Sequence, residues 1–113
     1  MDITSMNSTL IVAKMGHESS DAVAKLFGEF DQTDMPHVMG TRRRQLFYYR
    51  GLYFHLQDFE GEHGGEAIEE HRKHPLFLGI SRDLRPYIDP YDPNWKRPSD
   101  AMATPFYKWE AGE

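Results

Sequence analysis

Residues 42–59, RRRQLFYYRGLYFHLQDF, form a long run of strand-forming residues broken once, at Arg50-Gly51. Aromatic side chains favour a pleated, half-buried surface, and a two-residue turn containing glycine joins antiparallel strands with matched twist. The run therefore predicts a β-hairpin. A hairpin fixes which side chains share a face, because side chains alternate along a strand. With Arg50-Gly51 as the turn, Arg43 lies opposite Asp58, Arg44 opposite Gln57, Leu46 opposite His55, Phe47 opposite Phe54 and Tyr49 opposite Leu52. One face then holds Phe47, Tyr49, Leu52, Phe54 and Leu56, a surface suited to helix packing. The other holds Arg42, Arg44, Leu46, Tyr48, Tyr53, His55, Gln57 and Phe59. A solvated sheet face would be more uniformly polar. This mixture predicts a cavity wall closed by something else, such as a second subunit.

The flanking segments complete the pattern. Thr9 to Met15 reads as a short apolar strand, and Gly16-His17-Glu18 as a turn. Ser19 or Ser20 can cap a helix with Asp21 in its first turn. Val23, Leu26, Phe27 and Phe30 recur at helical spacing, and the helix should end before Pro36. Gly61 to Gly65 is a loop. Glu66 to Lys73 predicts a charged helix and Leu76 to Tyr87 another. Pro86 to Pro98 should be irregular but anchored, and Ala103 to Glu110 alternates like a final strand. Residues 1–8 form a loose, flexible polar extension. The order is strand, helix, strand, strand, helix, strand. That is an α+β fold, the ferredoxin-like βαββαβ pattern with an antiparallel sheet.

At 113 residues the chain fits a single domain, with room for a core that needs no disulfide or metal staple. There is no cysteine, which excludes thiol nucleophiles, iron–sulfur clusters and cysteine zinc sites. The formal net charge of −5 argues against nucleic acid, which demands a basic footprint. Arg42-Arg43-Arg44 does not alter this, since in a strand Arg43 points away from its neighbours. The sequence shows no secretory signal, membrane span or lipidation motif, so a cytoplasmic protein is expected.

The pair with the best chemistry is Arg44 and His55, on one face of neighbouring strands. Arginine supplies a fixed cation for a developing oxyanion, and histidine suits proton transfer near neutrality. The plainer reading is a surface strand charge beside a satisfied, half-buried histidine. Asp31 and Asp34 follow the apolar helix face in FDQTDMP, where a carboxylate at a helix C-terminus calls for compensation, and they could equally be solvated. His63, His71 and His74 with Glu66 and Glu70 match no recognised metal spacing, so no metal is expected. The GEHGG loop lacks the context and lysine of a phosphate loop. The late aromatics, Tyr87, Tyr91, Trp95, Phe106, Tyr107 and Trp109, could line a ring-binding pocket or simply fill the core and an interface.

The segments FGEFDQTDMP, GTRRRQLFYYRGLYFHL, HRKHPLF, LRPYIDPYDPNW and FYKWE, in this order, resemble the small tetracenomycin-type aromatic polyketide cyclases. The resemblance runs from about Leu10 to Glu110. It implies a ferredoxin-like homodimer of the dimeric α+β barrel type, with a pocket on the open sheet face, between it and the remaining loops and helices. It also implies a cytoplasmic enzyme of aromatic polyketide biosynthesis without metal or organic cofactor. Implied partners are an aromatic polyketide substrate, a second copy of the chain and components of a minimal polyketide synthase. The family's pocket positions fall on Asp31, Arg44 and His55. Relatives can carry histidine directly before the aspartate, where this chain has Phe30, which would then face substrate rather than titrate. In such a pocket Arg44 would stabilise an enolate, and His55, with Asp31 orienting a group or water, would move protons. Tyr48, Tyr53 and Trp95 would pack on the rings. The implied reaction is an intramolecular aldol closure with dehydration. Two other readings share the fold: a cofactor-independent monooxygenase acting on anthrones, and a non-catalytic polyketide-binding accessory protein.

Overall fold

The computed structural model describes residues 6–61 and 64–112. The hairpin forms as its composition dictates. Strand β2 (Thr41–Tyr49) and strand β3 (Leu52–Glu60) are joined by Arg50-Gly51. Both turn residues have positive φ, 47° and 86°, the backbone of a primed two-residue turn. The Gly51 amide donates to the Tyr48 hydroxyl at 2.9 Å and steadies the tip. Register runs from Tyr49 opposite Leu52 to Arg43 opposite Asp58 as the turn requires. It then shifts at a bulge, so that Thr41, not Arg42, meets Phe59. Arg42 leaves the inner face and pairs with Glu60 at 3.1 Å on the surface.

Strand β1 (Met6–Met15) pairs antiparallel with β3 along its length. It begins earlier than its apolar run. Residues 6–8 of the expected loose extension belong to it, and the extension's first five residues lie outside the described residues. Helix α1 (Ser20–Phe30) follows a 3-10 turn at 17–19. Ser19 occupies its N-cap, yet neither Ser19 nor Ser20 caps it through a side chain. Pro36 does not merely end this region. It sits in the first turn of a short helix α2 (Met35–Met39), where a missing amide N–H costs nothing. Gly40, at φ 76°, closes that helix and turns the chain into β2.

Helices α3 (Gly64–His71) and α4 (Pro75–Leu84) come next. Both of their predicted ranges ran further at the C-terminal end. His74 caps α4 by accepting from the Leu76 amide at 3.1 Å, and His71 Nδ1 bonds the Ala67 carbonyl at 2.9 Å. These histidines serve helix ends, and no group of three metal-capable side chains exists among the described residues. Glu62 and His63 of the predicted 61–65 loop lie outside those residues.

The fourth strand corrects the sequence reading. Ala103 to Glu110 forms no strand. The edge of β1 is taken instead by β4 (Ile88–Pro90), from the segment read as irregular, and by an isolated bridge from Met102 to Ile11. After the Ala103 amide bonds the Leu10 carbonyl, the chain leaves the sheet, and Phe106 is 97% exposed. Alternation cannot make a strand without a partner edge, and Pro105 removes a ladder donor. The sheet order is β2-β3-β1-β4, antiparallel throughout, the ferredoxin-like α+β arrangement. No helix among the described residues is long and apolar enough to cross a membrane.

The assignment of sheet faces also needs correction. The helices cover the face bearing Tyr53, His55, Gln57 and Phe59, all buried. They do not cover Phe47, Tyr49, Leu52, Phe54 and Leu56, whose face stays open. The core comprises Val23, Phe27 and Phe30 of α1, Met35 and Met39 of α2, and Ile68 of α3, set against Ala13, Met15, Tyr53 and Phe59 of the sheet. The mixed face is thus a cavity wall, closed by the chain's own helices rather than by another subunit.

Candidate active site

Helices α1 and α4 stand far enough from the sheet to leave a cavity of about 530 Å³. That lies within the range of small-molecule sites. Its sheet wall carries Ile11, Ala13, Arg44, Tyr53, His55 and Gln57, and its helix wall includes Phe27, Phe30, Phe77 and Ile80. Trp95 and Ala101, from the segment after β4, close one side. That segment is anchored: Asp100 accepts from the Lys96 and Arg97 amides, and Glu69 of α3 accepts from the Ser99 amide at 2.9 Å. The pocket therefore lies between helices and sheet, not on the open sheet face.

Asp31, Arg44 and His55 form one connected line at the wall of this cavity. Asp31 is the C-cap of α1, where the helix dipole disfavours a carboxylate. Arg44 supplies the compensation. Its Nε donates to both Asp31 carboxylate oxygens at 3.1 and 3.0 Å, and its Nη2 donates to Oδ1 at 2.6 Å. The Arg44 side chain is only 8% exposed, while that of Asp31 is 38% exposed and reaches toward solvent. The guanidinium carbon sits 5.0 Å from the Phe27 ring centre and 5.6 Å from that of Phe30, so two aromatic rings shield the cation. Phe30 therefore acts as an apolar wall against Arg44.

Arg44 Nη1 lies 3.0 Å from His55 Nε2. A guanidinium only donates, so Nε2 must accept and the ring proton resides on Nδ1. Burial, together with the nearby Arg44 charge, pushes the His55 pKa down to about 3. The imidazole is therefore neutral at ordinary pH. Phe27 packs edge-on against it with ring centres 5.0 Å apart.

Among the residues singled out in the sequence, Arg44, His55, Tyr53, Phe30 and Trp95 all line the cavity. Asp31 does not line it but holds Arg44. Tyr48 is not part of it. Its ring lies at the hairpin tip beside His17, and its hydroxyl is engaged by Gly51, so the packing role expected of Tyr48 is not supported by its position. Asp34 is exposed and provides the N-cap position of α2 without a side-chain bond. Thr41 was missed: its hydroxyl accepts from Gln57 Nε2 at 2.8 Å, and only the bulge at Arg42 brings it there. Gln57, placed on this face by the same strand parity as His55, lines the cavity too, though it was not singled out as a site residue.

Comparison with known proteins places this geometry among relatives. The model of the family described as polyketide synthesis cyclase matches residues 7–110. The chain is 37% identical to a Streptomyces cyaneus protein named as a polyketide synthase, over 93% of this chain and 98% of that protein. It is 35% identical to the tetracenomycin F2 cyclase of Streptomyces glaucescens, over 90% of this chain and 93% of the relative. The solved structure of that cyclase superposes with a TM-score of 0.85 and 34% identity, covering 93% of this chain and 98% of the other. A cofactor-independent oxygenase from Streptomyces nogalater shares the fold alone, at a TM-score of 0.54 and 15% identity, covering 74% of this chain and 83% of the other.

Proposed function

This chain belongs to the polyketide synthesis cyclase family, and on that footing we propose that it closes a ring of a poly-β-ketone by intramolecular aldol addition and dehydration. The observation that carries this reading is Arg44 in the cavity wall, held by Asp31 from behind and in contact with His55. The methylenes of a poly-β-ketone lie between two carbonyls and are already acidic, so the reaction asks for a folded substrate more than for a strong base. Holding the reacting carbons together can supply roughly 7–11 kcal/mol of the barrier. Arg44, desolvated and aimed by Asp31, meets the enolate oxygen as charge develops there. When the enolising substrate oxygen takes over the Arg44 Nη1 donor, its developing negative charge offsets the Arg44 charge that helps hold the His55 pKa down, and the freed Nε2 lone pair can accept the methylene proton. The imidazolium hands that proton to the new alkoxide, giving a hydroxyl. Nε2 then takes the second proton from the same carbon and delivers it to the hydroxyl, which leaves as water as the carbon–carbon double bond forms. The new carbon–carbon bond forms, one water leaves, and aromatisation drives the sequence forward. Such chemistry draws on no metal or organic cofactor.

We assign the open sheet face to a second copy of the chain, which would make the working form a homodimer, in a cytoplasmic setting beside a minimal polyketide synthase. Exposed Phe47 and Tyr49 with half-buried Leu10, Val12, Phe54 and Leu56 support this.

The test is a product profile. Protein is added to a reconstituted minimal aromatic polyketide synthase with and without oxygen, and products are resolved by mass spectrometry. The expected result is a new product lighter by water in both atmospheres, lost about 100-fold or more in rate in Arg44→Gln. An oxygen-dependent gain in mass would make it a monooxygenase. An unchanged profile with retained polyketide binding would make it an accessory binder.

A further inference from the structure

Three successive inward positions of β3 carry polar side chains, Tyr53, His55 and Gln57, and these are only 3%, 7% and 3% exposed. A strand this deeply covered by helices ordinarily presents apolar groups there, because a buried polar group without a partner is destabilising. All three line the cavity. His55 has its partner in Arg44, and Gln57 spends one amide N–H on Thr41. The remaining amide groups of Gln57 and the hydroxyl of Tyr53 meet no hydrogen-bond partner among the described residues. Directly across from Gln57 on β1, the Thr9 hydroxyl is buried and likewise unpartnered. Alternate residues of a strand are about 7 Å apart, so these groups form a row on either side of the Arg44–His55 contact.

We propose that β3 is a hydrogen-bonding rail that reads oxygen atoms along one edge of the bound molecule, with the Tyr53 hydroxyl donating to one oxygen and the Gln57 amide binding another. The rail would set which part of the substrate reaches Arg44, and so which ring closes. This rests on the cyclase reading above, since a poly-β-ketone carries an oxygen on every second carbon and needs its register fixed. An apolar cavity alone would let such a chain slide. Burial raises the Tyr53 pKa, against a smaller opposing pull from Arg44, so the phenol keeps the proton it would donate. Tyr53 and Gln57 are positioning groups that touch substrate away from the reacting carbons.

The probes are 1,8-dihydroxyanthraquinone, whose three oxygens lie on one edge, and unsubstituted anthraquinone. Binding is followed by quenching of tryptophan fluorescence, since Trp95 lines the cavity. Wild type should prefer the dihydroxy probe. Tyr53→Phe should narrow that preference by about five- to tenfold, the value of one hydrogen bond. Its melting temperature should be unchanged or higher, because the hydroxyl has no protein partner to lose. Gln57→Met should narrow the preference as well. Equal loss of both probes in Tyr53→Phe would reduce Tyr53 to packing and overturn the rail. So would an unchanged preference, or no saturable binding to wild type. If the preference behaves as expected but wild type leaves the polyketide products unchanged, the rail stands and the cyclase reading falls.

Discussion

At the scale of single residues, the site depends on a histidine that burial keeps neutral. His55 has its pKa pushed down to about 3 in the fold, against about 6.5 in an unfolded chain. Its contribution to stability is fully present above pH 6.5. As pH falls below that value the unfolded chain binds a proton that the folded protein refuses, and the contribution is lost progressively toward pH 3. In the middle of that window one proton corresponds to about 1.4 kcal/mol per pH unit. Denaturant titrations between pH 6 and 5 should therefore show a steep loss in wild type and a flatter one in His55→Asn. Identical slopes would mean that His55 titrates normally in the fold. Strand parity alone was enough to place Arg44 beside His55, because both are set by the hairpin turn. The partnership of Asp31 with Arg44 was legible only as a need for compensation at the end of α1, since nothing local joins residues so far apart in the chain. The protonation of His55 was not legible at all, because desolvation belongs to the surroundings.

At the scale of elements, turn chemistry and periodicity performed well where they act locally. The hairpin, its register and α1 follow from Arg50-Gly51 and from the spacing of Val23, Leu26, Phe27 and Phe30. Arg50 bears φ 47°, a conformation that Asn adopts with less strain. Arg50→Asn should stabilise the protein by about 0.5–1 kcal/mol, read as a rise in the denaturation midpoint with an unchanged slope. A fall in the midpoint would mean that the Arg50 guanidinium, 5.3 Å from the Tyr49 ring centre, matters more than the backbone. Elements that depend on distant partners were misread. Ile88–Pro90 is too short to announce itself and becomes a strand only because the edge of β1 lies beside it. Ala103 to Glu110 has a strand's pattern, but the edge of β1 is already taken by β4 and by the bridge from Met102. The bulge at Arg42 has no turn residue to mark it, yet it exchanges Arg42 for Thr41 on the inner face.

At the scale of the whole molecule, the distribution of the two sheet faces is the main correction, and it relocates the pocket. The apolar face of the hairpin looks outward, with Tyr49 59% exposed, while the polar face looks into the cavity. If a second copy covers the open face, Phe54→Arg should convert a dimer to a monomer in light scattering while leaving the helical circular dichroism intact. Wild type with the mass of a single chain would remove the assignment. The sequence by itself determined the antiparallel hairpin, the ferredoxin-like order of elements up to β3 and the alignment of Arg44 with His55. Each of these is governed by local sterics and a period of two or 3.6 residues. Only the tertiary structure decided which face the helices cover, which segment completes the sheet edge and whether His55 carries a charge. Those outcomes depend on comparing burial, partners and desolvation across the whole fold, and residues distant in sequence settle them together.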